Sequence, residues 1–236
     1  MDKELNNINI GLFPSSGNNN EDLFLILNEI SKILCQWFSD ENSRPLPLER
    51  SFSITTPEEY GCKTEILIKE IEDLIYNSFK PSHKGSLANL DPPPLKISII
   101  GDLIASALNN NLLAEELSPS ISILECEICK WFTEKIGFSK NSGGIGASGG
   151  TLNNLNALVT ARYCSNLSSD INAVFIVSED AHVSFKKCAR IIGINEDNII
   201  SIKTDDEGRM IISSLKREIE NIIREGKNIF AIVATY

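Results

Sequence analysis

At 236 residues with 42% hydrophobic content, the chain is long enough to bury a core as one or two domains. Its net charge of −10, with no Lys/Arg cluster, excludes nucleic acid or an anionic membrane gripped through a basic face. No apolar run approaches the ~20 residues of a spanning helix, and the N-terminus lacks a charged-then-apolar leader pattern, so a cytoplasmic protein with its six cysteines kept as thiols is expected.

Residues 1–20, rich in Asn, Ser and Gly, are expected to form a disordered tail. From 21 to 94 the pattern is that of a helical segment with little chemistry of its own. Leu23, Leu27, Ile30, Leu34 and Trp37 trace one helical seam, suited to a core or a partner helix. Arg44-Pro45-Leu46-Pro47 reads as a linker. Thr56-Pro57-Glu58-Glu59 is a helix-capping signal, weakened soon after by Gly61. Asp91-Pro92-Pro93-Pro94 is a rigid, extended connector.

Ser118-Pro119 opens a long helix that reaches Ile136 and stops at Gly137. Cys126 and Cys129 fall inside it as a C-x-x-C. At i and i+3 they share one face, but zinc needs a second ligand pair and the chain has only two histidines, His83 and His182. They are therefore expected to be small buried residues, and no metal site is expected.

The glycine-rich run at 141–150 comes next and ends in Ser148-Gly149-Gly150-Thr151. Glycines permit close backbone approach, and apolar residues Leu152, Leu155, Val159 and Tyr163 then recur at helical spacing over 151–164. The turn thus meets a helix N-terminus, where free N–H groups and the Ser148 and Thr151 hydroxyls favour an anion. A turn that merely caps a helix is the competing reading. Gly144-Ile145-Gly146-Ala147-Ser148-Gly149 also matches G-x-G-x-x-G, but no buried strand precedes it and no acid closes the next strand, as a dinucleotide site requires.

Downstream the period alternates between two states. Residues 173–178 are a continuous apolar strand. Asp180-Ala181-His182 follows, and Phe185, Cys188, Ala189 and Ile192 form a helical stripe ended by Gly193, with Lys186, Lys187 and Arg190 on the polar side. A second strand over 198–204, a turn at Asp205-Asp206-Glu207-Gly208, a helix marked by Leu215, Ile219, Ile222 and Ile223, and a third strand over 229–234 complete the pattern. Strands alternating with helices imply an α/β fold with a parallel sheet. Ligands in such folds lie beyond the strand C-termini, where His182 falls, four residues past Ser178.

The run of Asp91-Pro92-Pro93-Pro94, Ser118-Pro119, Glu125, Ser148-Gly149-Gly150-Thr151, Ala181-His182, Gly208-Arg209-Met210 and Val233-Ala234-Thr235 resembles the group II pyridoxal-phosphate-dependent amino-acid decarboxylases. This family includes the aromatic-amino-acid, glutamate and 2,4-diaminobutyrate decarboxylases, and the resemblance covers residues 20–236 in order. It implies an aminotransferase-like large domain of PLP fold-type I over 95–236, behind a helical N-terminal segment, in a homodimer acting on a small-molecule amino-acid substrate. Gly150 and Thr151, with Ser148 and Gly149, match the residues that hold the phosphate of pyridoxal 5'-phosphate. His182 matches the histidine that stacks on the pyridine ring and helps to position substrate.

Lys84 and Asn89 depart from the family pattern, so substrate contacts at 87–92 do not carry over. The resemblance also places the Schiff-base lysine and the aspartate for the pyridine nitrogen beyond Tyr236. On that ground the 236 residues are expected to be an incomplete portion of the enzyme, inactive alone. A dead binding or dimerisation module and a sphingosine-phosphate-lyase-like carbon–carbon lyase are the alternatives.

Overall fold

The computed structural model describes residues 21–41, 44–46, 61–87 and 92–235. Expectations for residues 1–20, for the capping signal at 56–59, for Pro47 and for 88–91 lie outside these residues. The chain divides into two compact units, Met1–Asn109 and Asn110–Tyr236.

The first unit contains helices α1 (Glu21–Ser39), α2 (Thr64–Tyr76) and α3 (Lys96–Leu108). The seam of α1 follows the expected one from Leu27 onward, and only its first residue departs. Trp37 is buried and Leu27, Ile30 and Leu34 are half-buried, joined by buried Ile33, whereas Leu23 is exposed. The Trp37 ring meets Phe38 edge-on at 4.9 Å and carries the Lys80 ammonium 5.7 Å above it. Lys80 Nζ also donates to the Asp40 carbonyl at 2.6 Å. Helix α3 begins directly behind the prolines, has no buried residue, and ends at Asn109 in the left-handed conformation at φ 45°. It was not anticipated, because the extended connector masked the start signal behind it.

The second unit opens with a 3-10 turn (Glu115–Leu117) and α4 (Pro119–Lys135), which starts at Ser118-Pro119 as expected, although the Ser118 side chain caps nothing. Cys126 is exposed and Cys129 only half-buried, contrary to expectation, because α4 has no buried residue and so offers no core to receive them. Then follow α5 (Gly150–Cys164), β1 (Ala173–Ser178), α6 (Ser184–Ile191), a 3-10 turn (Glu196–Asn198), β2 (Ile199–Ile202), α7 (Ile212–Arg224) and β3 (Asn228–Ile232). The strands are parallel in the order β2-β1-β3.

All six residues of β1 are buried, since both faces of the central strand are covered. One face, Ala173, Phe175 and Val177, packs with Leu158, Cys188, Ala189 and Phe230. The other, Val174 and Ile176, packs with Ile202 and Ile222. Strand alternation thus distributes the core to two sides. β3 is shorter than expected and buries only Phe230, as befits a strand with a single neighbour. Gly193 ends the α6 turn at φ 72°, a conformation that costs side-chain-bearing residues about 1–2 kcal/mol.

The expected apolar stripe of α5 is out of phase. Leu152, Val159 and Tyr163 are exposed, Tyr163 by 74%, while Leu158 and Arg162 are buried. The cause is Arg162, whose guanidinium donates inward to three carbonyls: Leu167 at 2.8 Å, Ile192 at 2.6 Å and Asp170 at 2.9 Å. It ties the loop before β1 to the C-terminal end of α6 and faces the core on this side of the helix.

Candidate functional site

Four residues before α5 begins, the glycine turn is fixed from α4: Glu125 Oε1 accepts the Gly146 N–H at 3.0 Å. The turn delivers Gly149 in extended backbone (φ 162°, ψ 168°) to the first residue of α5, Gly150. Ser148, Gly149, Gly150 and Thr151 are all exposed, and their N–H and hydroxyl groups meet no partner among the described residues. Neither Gly149 nor Gly150 has any atom within 4 Å of where a Cβ would stand, and the first turn of α5 carries no acid. Such a donor set, open and uncompensated, suits an anion.

His182 is placed by the loop after β1. The Glu179 N–H extends the pairing to the Ile202 carbonyl at 2.8 Å, and the Ala181 N–H turns back to the Ser178 carbonyl at 3.0 Å. Thr204 clamps this loop: its hydroxyl donates to Asp180 Oδ2 at 2.7 Å, and its N–H to Glu179 Oε1 at 2.6 Å. The His182 ring is exposed, but its Nδ1 lies 2.8 Å from Ser184 Oγ and accepts the Ser184 N–H at 3.2 Å. Ser184 Oγ in turn accepts from Asn154 Nδ2 at 2.9 Å. Asn154 stands one turn along α5 from Thr151, so the imidazole is tied to the helix whose N-terminus the glycines form. A second tie, from the Cys188 thiol to the Thr151 carbonyl at 3.6 Å, joins α6 to the same turn.

His182 borders a cleft of about 340 Å³ at the C-terminal edge of the sheet, together with Val177, Ser178, Ala181, Phe185 and Lys186. Lys186 and Lys187 are exposed, as their helical phase implied, yet Lys186 still reaches this cleft wall. A second cleft of about 540 Å³ lies across Ser178, beside Gly208, Arg209, Met210 and Thr235. Gly149, Gly150 and Thr151 line neither cleft and sit instead on open surface. Glu196, on the first cleft, has its carboxyl held below the ordinary range by hydrogen bonding to Arg190 and by that residue's charge. Hydrogen bonds from the Arg209 backbone and side chain do the same for Asp205.

Sequence reasoning missed Asn154, Ser184 and Thr204, and gave Glu125 no role. Ser184, two residues past His182, carried the one readable signal, since Ser commonly flanks helix starts. Among the described residues no group of three or more His, Cys, Asp or Glu could hold a metal ion, and no helix is long and apolar enough to cross a membrane.

A family model described as the pyridoxal-dependent decarboxylase conserved domain matches residues 45–236. Acidic amino acid decarboxylase GADL1 of Xenopus tropicalis is 30% identical over 230 residues, covering 91% of this chain and 44% of that protein. Among solved structures, the glutamate decarboxylase domain of the diaminobutyrate-pyruvate transaminase and L-2,4-diaminobutyrate decarboxylase from Vibrio parahaemolyticus superposes with a TM-score of 0.82 at 20% identity, over 98% of this chain and 54% of that one. Oryza sativa TDC with PLP gives a TM-score of 0.75 at 20% identity, over 94% of this chain and 52% of that one. The chain spans under half the length of the curated relatives it matches. Its fold is the α/β architecture of these structures, fold-type I, as the sequence led one to expect.

Proposed function

The chain belongs to the pyridoxal-dependent decarboxylase family, and on that premise we propose that Ser148, Gly149, Gly150, Thr151 and His182 form the phosphate and ring ends of a pyridoxal 5'-phosphate site that serves decarboxylation of an amino acid. The observation that carries this reading is the open, unpaired donor set at the α5 N-terminus, joined to the His182 imidazole through Asn154 and Ser184. A phosphate dianion needs several N–H donors and no competing carboxylate, and the turn supplies both conditions.

The backbone N–H groups of Gly149, Gly150 and Thr151, with the Ser148 and Thr151 hydroxyls, would hold the phosphate. His182 would cover the ring with its flat face, fixed from behind by Ser184. The cleft beside it, walled by Val177, Ala181 and Phe185, would shed water from the reacting end. When bound, the cofactor supplies the electron sink for the bond that releases CO2. A homodimer is part of the proposal, supported by the exposed apolar side chains Trp131, Phe132 and Tyr163. Among the described residues we assign no carboxylate to the pyridine nitrogen and no lysine to the aldehyde, so the 236 residues by themselves are inferred to release no CO2.

The test compares pyridoxal 5'-phosphate with pyridoxal by fluorescence titration, in the wild-type chain and in Gly150→Asp. A carboxylate at the first helical position suits the helix dipole and meets no atoms, so the fold stays intact. Facing the phosphate, it should weaken the phosphorylated ligand roughly tenfold and leave pyridoxal unchanged. Equal loss for both ligands, or for neither, refutes the phosphate assignment. Borohydride reduction should leave no stoichiometric adduct; one on Lys186 would overturn the inference that the chain is inactive alone.

A further inference from the structure

The neighbours of His182 do more than hold a ring in place; they determine which of its nitrogens carries the proton. The Ser184 N–H points at Nδ1 from 3.2 Å, a long contact that favours a bare Nδ1 without dictating it alone. The Ser184 hydroxyl, 2.8 Å from the same nitrogen, has one proton and two lone pairs to distribute. Asn154 Nδ2 can only donate, and it occupies a lone pair of that oxygen at 2.9 Å. The hydroxyl proton is thereby free for Nδ1. Asn154, Ser184 and His182 form a chain of donors running one way, and Ser184 is 1% exposed, so water does not interrupt it. Nε2 has no partner among the described residues.

We propose that Asn154 and Ser184 are positioning residues that hold His182 as the neutral imidazole protonated on Nε2, leaving Nε2–H as the ring's single outward donor. What this donor serves rests on the cofactor reading above: a neutral ring lying on the pyridine face, with its N–H at the free edge, can donate to an anionic group of the substrate. The simpler account is that His182 just caps α6 by accepting the Ser184 N–H, as short polar side chains do. That account explains one of the two contacts to Nδ1. It gives Asn154, thirty residues away on another helix, no influence over the ring proton.

The two accounts separate in the full 236-residue chain labelled with 15N-histidine, read by long-range proton–nitrogen correlation, whose pattern distinguishes the two neutral tautomers from each other and from the doubly protonated ring. With two histidines, His83 serves as the internal reference. Wild-type His182 should show a bare Nδ1 and a protonated Nε2. In Asn154→Asp the carboxylate accepts the Ser184 hydroxyl and reverses the chain, so a protonated Nδ1 form should appear. Ser184→Ala, which removes the hydroxyl alone, should also mix the forms, and it answers the question should Asn154→Asp fail to fold. His83 should not change in either variant. A wild-type ring protonated on Nδ1, or a tautomer indifferent to both substitutions, overturns the proposal.

Adding pyridoxal 5'-phosphate to the same samples tests the other premise independently, because the ring tautomer is read with and without the cofactor. A tautomer that responds to Asn154→Asp, together with an unsubstituted chain that binds no cofactor, keeps the relay and ends the cofactor reading. A cofactor that binds while the tautomer never responds does the reverse.

Discussion

Glu125 and Gly146 meet across twenty-one residues, carboxylate oxygen to backbone N–H at 3.0 Å, and so couple α4 to the turn that opens α5. A Cβ at position 146 would stand 3.2 Å from that oxygen, so glycine is what lets the two close up. The bond aims the turn, while the donors of Gly149 to Thr151 bind. Glu125→Ala should therefore weaken pyridoxal 5'-phosphate about 3–10-fold, the worth of one hydrogen bond, with little change in stability. Glu125→Gln, which keeps an acceptor oxygen, should recover most of the affinity. Calorimetric titration of the three proteins decides; an unchanged dissociation constant in Glu125→Ala would show the contact to be incidental.

Arg162 is the opposite case, a buried cation with a purely structural task. Its three carbonyl acceptors belong to residues 167, 170 and 192, so it ties the loop before β1 to the C-terminal end of α6. Arg162→Met keeps the stem and strands those acceptors, which should cost about 2–4 kcal/mol. Arg162→Lys should rescue little, because an ammonium cannot fork to three fixed carbonyls. Urea unfolding at constant m-value is the measurement. A loss below 1 kcal/mol in the Met variant would mean that water satisfies the carbonyls.

The aromatic contact in the core provides a second stability measure. Phe175, fully buried on β1, meets Phe230 of β3 with ring centroids 5.6 Å apart. Phe175→Ala should cost about 3–5 kcal/mol through lost transfer energy and the cavity left behind. Phe230, 7% exposed on an edge strand, should lose less when it is truncated to Ala. Thermal unfolding of both variants would show the order, and the reverse order would place the core's centre nearer β3.

What a short window contains was readable; what distant residues decide was not. β1 declared itself as an unbroken apolar run because both its faces are covered, and α6 because its charged and apolar sides separate cleanly within eight residues. α5 defeated the same method, since Arg162 needs partners at 167, 170 and 192, none of which falls inside its own period. The glycine turn and His182 were visible as residue types, but Asn154 and Ser184, which connect them, are separated by thirty residues and look ordinary in sequence. Cys126 and Cys129 were misplaced because a helix alone does not say whether anything lies against it.

Acid should expose one more consequence of the loop ends. The Asn228 amide donates to Asp170 Oδ2 at 2.8 Å and the Asn172 N–H to Oδ1 at 2.8 Å; these bonds, Asn228 first, hold the Asp170 carboxyl below its ordinary value. Glu196 and Asp205 are lowered likewise by Arg190 and Arg209. A carboxyl whose folded pKa lies below its unfolded one binds its proton more readily when unfolded. Its contribution is therefore complete above the unfolded value, near pH 4, and is lost as pH falls through the folded one. These three groups should add no slope to stability between about pH 6 and 8, and a decline below about pH 4. Exposure makes the decline shallow and salt-sensitive. Asp170→Asn, which keeps an oxygen for the Asn172 N–H but has no charge to lose, should flatten it further. Urea midpoints measured from pH 3 to 8 at low and high salt provide the check, and stability that rises on acidification would contradict the direction of all three shifts.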